Sequence, residues 1–87
     1  SLDTYGWVFF LRENYTLGKL YIEKALGLAA DNPDADVVEH HGDVLYMLGE
    51  KEKAMLEWKR AKEIGGGGSP MLDKKIEQGK YIPEKKK

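Results

Sequence analysis

The sequence predicts an all-α fold of two antiparallel helical hairpins, over about residues 2–30 and 35–65, followed by a C-terminal capping helix. Three observations support this fold class: a self-match at a spacing of 36 residues, apolar positions with helical period, and turn residues between the segments. We expect the hairpins within 1–68, the capping helix and a docked tail within 69–83, and a solvated end over 84–87.

A shift of 36 residues superposes the first half of the chain on the second. Gly6 then falls on Gly42, and elsewhere small residues fall on small ones and large apolar residues on large ones. The other matched pairs are Phe9–Leu45, Phe10–Tyr46, Leu11–Met47, Gly18–Ala54, Ile22–Trp58 and Ala25–Ala61. Agreement at so many positions where size is restricted indicates an internal repeat.

Each copy contains two amphipathic stripes of helical period with a short break between them. In the first copy the stripes run over residues 2–12 and 17–28, and in the second over 37–48 and 54–64. The bend within a copy is only two or three residues long. The two helices of each copy are therefore expected to lie antiparallel.

Turn residues mark the ends of these helices. Gly49 is placed to take the left-handed conformation after the first helix of the second copy. Between the copies, residues 31–34 read Asp-Asn-Pro-Asp, in which Pro33 ends one helix and Asp34 or Asp36 caps the next.

The C-terminal part begins with a glycine run at 65–68, which resembles a flexible linker, natural or engineered. Ser69 is then expected to be the N-cap of the last helix and Pro70 its first residue. The segment Tyr81-Ile82-Pro83 is too apolar for an ordinary tail. We expect it to fold back onto the hairpins.

Composition narrows the classes of function. Positive and negative side chains nearly cancel, with a net charge of −1, which argues against a general nucleic-acid binder. The lysines at 74–75 and 85–87 are interpreted as solubilising faces. The chain has no cysteine, and no apolar run reaches the roughly 18–20 residues that cross a membrane. The compartment is left open, since the chain does not begin with Met and is expected to be a fragment or a processed form.

These small and large positions resemble the tetratricopeptide repeat over about residues 2–64. The first copy supplies Leu2, Tyr5-Gly6, Phe9, Tyr15, Gly18, Ile22 and Ala25, and the second Val38, His41-Gly42, Leu45, Gly49, Ala54, Trp58 and Ala61. Glu13 departs from the pattern, because it stands where the first turn normally has glycine. The resemblance implies an α–α superhelix, and the chain looks like the C-terminal repeats of a longer bacterial protein.

The resemblance also implies a concave face, formed by the first helix of each repeat, that binds a protein or peptide partner. Its positions here are Trp7, Phe10, Leu11, Glu39, His40, Asp43, Tyr46 and Met47, with Asp3, Thr4 and Asp36 beside them. The expected ligand is a peptide with apolar anchors and a Lys or Arg. Two alternatives stay open: a purely structural cap of a longer solenoid, or a homodimer formed through the exposed N-terminal hairpin.

The sequence favours this binding role over a metal site and over an enzyme. Asp36, Glu39, His40 and Asp43 share one helix face, but ligands from a single helix rarely complete a site, so no metal is expected. The alternative is a solvated acidic face with His41 half-buried. The sequence contains no serine-hydrolase, zinc-protease or phosphate-loop motif, so we expect neither catalysis nor a cofactor.

Overall fold

The computed structural model describes residues 1–84, and every regular element in that part of the chain is an α-helix. The five helices are α1 (Leu2–Leu11), α2 (Tyr15–Ala29), α3 (Ala35–Met47), α4 (Lys51–Ile64) and α5 (Leu72–Gln78). Helices α1 and α2 form one hairpin and α3 and α4 a second, α2 packs against α3, and α5 packs on α4. The all-α fold class is therefore confirmed. Residues 85–87 of the expected solvated end lie outside the described part.

Glycines at equivalent positions bring the two helices of each hairpin together. A Cβ atom added at Gly6 of α1 would lie 2.7 Å from Ile22 Cγ1 and 3.0 Å from the Gly18 carbonyl oxygen of α2. A Cβ atom at Gly42 of α3 would lie 2.5 Å from Trp58 Cδ1 and 3.1 Å from a backbone carbonyl of α4. The contacts recur 36 residues apart, so the sequence repeat is also a repeat of packing.

The first helix of each hairpin ends in the same hydrogen-bonded turn. After α1, Glu13 has a φ of 62°, and the N–H of the next residue donates to the Phe9 carbonyl at 2.9 Å. After α3, Gly49 has a φ of 89°, and the N–H of the next residue donates to the Leu45 carbonyl at 2.9 Å. The prediction for Gly49 is confirmed. Glu13 adopts the same conformation, which costs a residue with a Cβ atom about 1–2 kcal/mol.

Two apolar clusters make up the core. One lies between α3, α4 and α5 and contains Ala35, Val38, Leu45, Ala54, Trp58, Ala61 and Leu72. The other lies between α1, α2 and α3 and contains Phe10, Ile22 and Val44. Tyr81, in the segment after α5, packs against both clusters. The C-terminal segment thus lies across the second hairpin and reaches the first.

The glycine run lies against the start of α3. Gly65, Gly66 and Gly68 have φ values of 69°, 71° and 96°, which only glycine adopts cheaply. The Gly68 N–H donates to the carboxylate of Asp36. Asp34 is the N-cap residue of α3, while the Asp36 side chain is used for the glycine run.

Helix α5 begins later than the sequence predicts. Its N-cap is Met71 rather than Ser69, and Pro70 precedes the helix. The N–H and the hydroxyl of Ser69 both donate to the Glu39 carboxylate of α3. The Ser69 hydroxyl oxygen accepts from the Met71 N–H at 3.1 Å. Contact with α3 therefore holds Ser69 in a turn, and the helix starts after it.

Candidate partner-binding site

A cavity of about 520 Å³ opens between α1, α3 and the C-terminal segment. Its walls consist of Asp3, Trp7 and Leu11 from α1, Asp36, Glu39, His40 and Asp43 from α3, Gly68, Ser69, Pro70 and Lys75 around the start of α5, and Tyr81, Ile82, Pro83 and Glu84. The volume falls within the roughly 300–1,000 Å³ of ordinary ligand pockets. It is large enough for one or two side chains of a peptide.

Five of the eight residues predicted for the concave face line this cavity: Trp7, Leu11, Glu39, His40 and Asp43. The other three lie outside its lining. Phe10 is buried in the core, Tyr46 packs against Trp58 with ring centroids 5.8 Å apart, and Met47 is exposed at the end of α3. The face predicted from the resemblance therefore divides into cavity wall, core and free surface.

One wall of the cavity is a column of stacked rings. The Trp7 indole lies 4.1 Å from the His40 ring on one side and 4.4 Å from the Phe10 ring on the other, centroid to centroid. Both faces of the indole are covered, so only its edge is left to meet a ligand. His40 Nδ1 lies 2.9 and 3.1 Å from the two carboxylate oxygens of Asp3, which ties α1 to α3.

A buried ionic cluster closes the side of the cavity next to α5. Lys75 Nζ donates to Glu39 Oε2 at 2.7 Å and to the two oxygens of Asp43 at 2.8 and 3.0 Å. The side chains of Lys75, Glu39 and Asp43 are 3%, 2% and 1% exposed. Trp58 Nε1 also donates to Asp43 at 3.0 Å, and Ser69 donates to Glu39. Within residues 1–84, every buried side-chain nitrogen or oxygen has a partner.

This cluster changes the role of two predicted site residues. The resemblance places Glu39 and Asp43 on the concave face that a partner would cover, but Lys75 of the same chain occupies both carboxylates. The interpretation of Lys74 and Lys75 as one solvated pair holds for Lys74, which is exposed, and is wrong for Lys75. Helical spacing indicates the burial of Lys75, because Lys75 follows the buried Leu72 by three residues and so lies on the same face of α5.

The balance of burial and hydrogen bonding shifts the pKa values of the two carboxyl groups in opposite directions. Burial raises the pKa of Asp43 to about 6, in spite of the nearby Lys75 and the bond from Trp58. Burial would also raise the pKa of Glu39, but the hydrogen bonds from Lys75 and Ser69 outweigh it, and that pKa is lowered. Glu39 and Asp43 share one ammonium, which leaves one negative charge unbalanced. Asp43, whose pKa is raised, is therefore the group that takes up a proton first as the pH falls.

A second polar cluster joins the hairpins away from the cavity. His41 lies on α3 with Nδ1 2.6 Å from Glu57 Oε2 of α4 and Nε2 2.9 Å from Glu23 Oε2 of α2. Burial would lower the pKa of His41, but the two carboxylates outweigh it and raise that pKa. The expectation that His41 is half-buried is confirmed. His40 and His41 point to different neighbours and do not share a site.

The four acidic and histidine side chains that share one face of α3, Asp36, Glu39, His40 and Asp43, all line the cavity. Each is already engaged: Glu39 and Asp43 with Lys75, His40 with Asp3, and Asp36 with the glycine run. In the part of the chain that the structure describes, no group of three or more His, Asp or Glu is arranged to hold a metal ion. None of the helices in that part combines the length and apolar character needed to cross a membrane.

Comparison with protein-family models, with curated proteins and with solved structures gives no match to this chain. The resemblance to the tetratricopeptide repeat therefore rests on the residues of the chain itself. Those residues are the small ones at the helix crossings and the large ones packed beside them, at the same positions in both hairpins.

Proposed function

We propose that this protein is an interaction module of tetratricopeptide type that binds a peptide segment of a partner protein in the cavity between its hairpins. The cavity is the observation that supports this function most directly, because α1 and α3 both line it. Leu11, at its edge, is 63% exposed. Exposed apolar side chains beside a concave site are typical of surfaces that a partner covers.

The polar groups of the cavity support binding rather than catalysis. A general base or a nucleophile needs an atom that can exchange a proton or form a bond with a ligand. Here Glu39 and Asp43 hold Lys75, and Asp3 holds His40. These side chains build a rigid wall by binding one another. We therefore propose neither a reaction nor a cofactor.

A matched pair of leucine variants tests the proposal. Leu11→Ser changes an exposed leucine at the cavity, and Leu56→Ser changes a leucine on α4 that is 67% exposed and outside the cavity. On an array of random octapeptides, we expect Leu11→Ser to weaken binding about tenfold, because it removes an apolar contact. A tenfold change corresponds to roughly 1.4 kcal/mol of binding free energy. Leu56→Ser should bind as the wild type does. Equal effects of the two changes would count against the cavity.

A second candidate is a structural role at the end of a helical stack, and two equivalent valines favour it. Val44 is fully buried against the first hairpin, whereas Val8, its counterpart 36 residues earlier, is 42% exposed. The first hairpin thus exposes a surface that the second one buries. At the opposite end, α5 packs on α4 with Leu72 buried. A further hairpin of the same type, or a second copy of the chain, would fit against Val8 and its neighbours.

Sedimentation of the wild type and of Val8→Glu separates the two forms of this second candidate. A dimer that Val8→Glu dissociates would support self-association, because a buried carboxylate at the interface is unfavourable. A wild-type monomer at all concentrations would exclude the homodimer and leave the stacking of a further hairpin.

A further inference from the structure

We infer that the ligand of the cavity is a basic segment, in which a Lys or Arg side chain is flanked by an apolar residue. This inference rests on the proposed peptide-binding function and names the chemistry of the peptide. It follows from which hydrogen-bonding groups of the cavity wall are already used and which are left for a ligand.

Carboxylates outnumber cations around the cavity. The acidic lining residues are Asp3, Asp36, Glu39, Asp43 and Glu84, whereas Lys75 is the one Lys or Arg among the lining residues that the structure describes. An ammonium group has three N–H donors. All three lie within bonding distance of Glu39 and Asp43 oxygens, at 2.7, 2.8 and 3.0 Å. All three donors of Lys75 are therefore used by its two buried partners, and the rest of the wall keeps its negative charge.

Three further donors of the wall, on Ser69 and Gly68, are also used within the chain. Both donors of Ser69 are directed to Glu39, and the Gly68 N–H is directed to Asp36. Acceptors are more plentiful, because an ionised carboxylate can accept about four hydrogen bonds. Asp36 is exposed and accepts through one oxygen, and Asp3 contacts a single ring nitrogen. A ligand that supplies donors and positive charge fits this wall, and an anionic ligand would be repelled.

The remaining surface of the cavity is apolar. Leu11, Pro70, Ile82 and Pro83 line it, and the two prolines have no N–H to offer a ligand. The alkyl stem of a Lys or Arg can pack along such a surface while its charged end reaches a carboxylate. Stacking of a cation on Trp7 is excluded because Phe10 and His40 cover both faces of the indole. Charge pairing with Asp3, Asp36 and Glu84 must then provide the selectivity.

Random octapeptides on an array, followed by fluorescence anisotropy of the best binders, test the inference. We expect the bound peptides to contain Lys or Arg next to an apolar residue, and replacement of that basic residue by Gln to weaken binding about tenfold. Asp3→Asn combined with Asp36→Asn should weaken the basic peptide about tenfold and leave its Gln version unchanged. Asn keeps an acceptor oxygen, so the contacts with His40 and Gly68 can persist. Thermal melting checks that this double variant is folded.

Asp31→Asn combined with Asp73→Asn is the matched control, since it removes the same charge from exposed positions outside the cavity. It should leave binding of the basic peptide unchanged. Selection of peptides without Lys or Arg, in a manner that Leu11→Ser abolishes, would overturn the inference and leave the proposed function standing. Unchanged binding of the basic peptide to the variant with Asp3→Asn and Asp36→Asn would also overturn the inference and leave the proposed function standing. Failure of the wild type to bind any peptide at millimolar concentration would overturn both.

Discussion

Replacement of Lys75 by Met removes the ammonium of the buried cluster and keeps a long unbranched side chain of similar helix propensity. The change deletes three hydrogen bonds, of 2.7, 2.8 and 3.0 Å, from Glu39 and Asp43. The two carboxylates stay almost fully buried. Only the bonds from Ser69 and Trp58 are left to stabilise them.

The expected loss of unfolding free energy is large. Removing one partner of a buried ion pair typically costs about 3–5 kcal/mol, because the remaining charge has no compensation. A domain of this length has a total stability of roughly 4–13 kcal/mol. The substitution should therefore remove a substantial share of it at pH 7. Protons can neutralise the two carboxylates in place of Lys75, so the deficit should shrink as the pH falls to 5.

Urea denaturation followed by circular dichroism at pH 7 and pH 5 measures this loss. Lys74→Met is the control, because Lys74 is the adjacent residue on α5, has the same charge and is exposed. It should change the unfolding free energy by no more than about 0.5 kcal/mol. If Lys75→Met were no more destabilising than Lys74→Met, the argument that this ion cluster holds α5 against α3 would be refuted.

Three further comparisons test individual parts of the structure by the same denaturation assay. The folded-state pKa of Asp43, about 6, exceeds its unfolded value, so the folded form binds the proton more tightly and the contribution of Asp43 to stability should fall as the pH rises from 4 through 6. Asp43→Asn keeps an acceptor for Trp58 and removes this contribution, so its unfolding free energy relative to the wild type should rise over that interval. A constant difference would show that another group titrates. Glu13→Gly should stabilise the protein by about 0.5–1 kcal/mol, because the relief of the positive φ exceeds the conformational entropy that glycine loses on folding. Gly49→Ala should destabilise it by about 1–2 kcal/mol. A loss of stability in Glu13→Gly would contradict this account of the turn. Gly42→Ala should lower the unfolding free energy by about 1–3 kcal/mol, because its Cβ would meet Trp58 at 2.5 Å. Gly27→Ala should raise it by about 0.5–1 kcal/mol, because nothing lies within 4 Å of that Cβ. Equal effects of the two changes would rule out close helix packing at Gly42.

The sequence by itself determined the fold class and the repeat. The periodicity of apolar residues is a local property of the sequence. Close packing at the two helix crossings requires glycine at positions 6 and 42, so the glycine recurs after 36 residues. Gly49 was predictable for the same reason, since the left-handed turn depends on one residue and its neighbours. These features follow from short-range sterics, which a sequence displays directly.

Tertiary structure alone decided how the candidate site is built. Helical spacing places Lys75 on the inner face of α5, but its partners lie 36 and 32 residues away, and only the docking of α5 brings them within 3 Å. The same docking delays the start of α5, occupies Glu39 and Asp43, and leaves Asp3, Asp36 and Glu84 as the acidic lining residues that a ligand can reach. Periodicity predicts which face of a helix is buried. It does not determine which residue of a distant helix that face meets, because that depends on the packing of all the helices together.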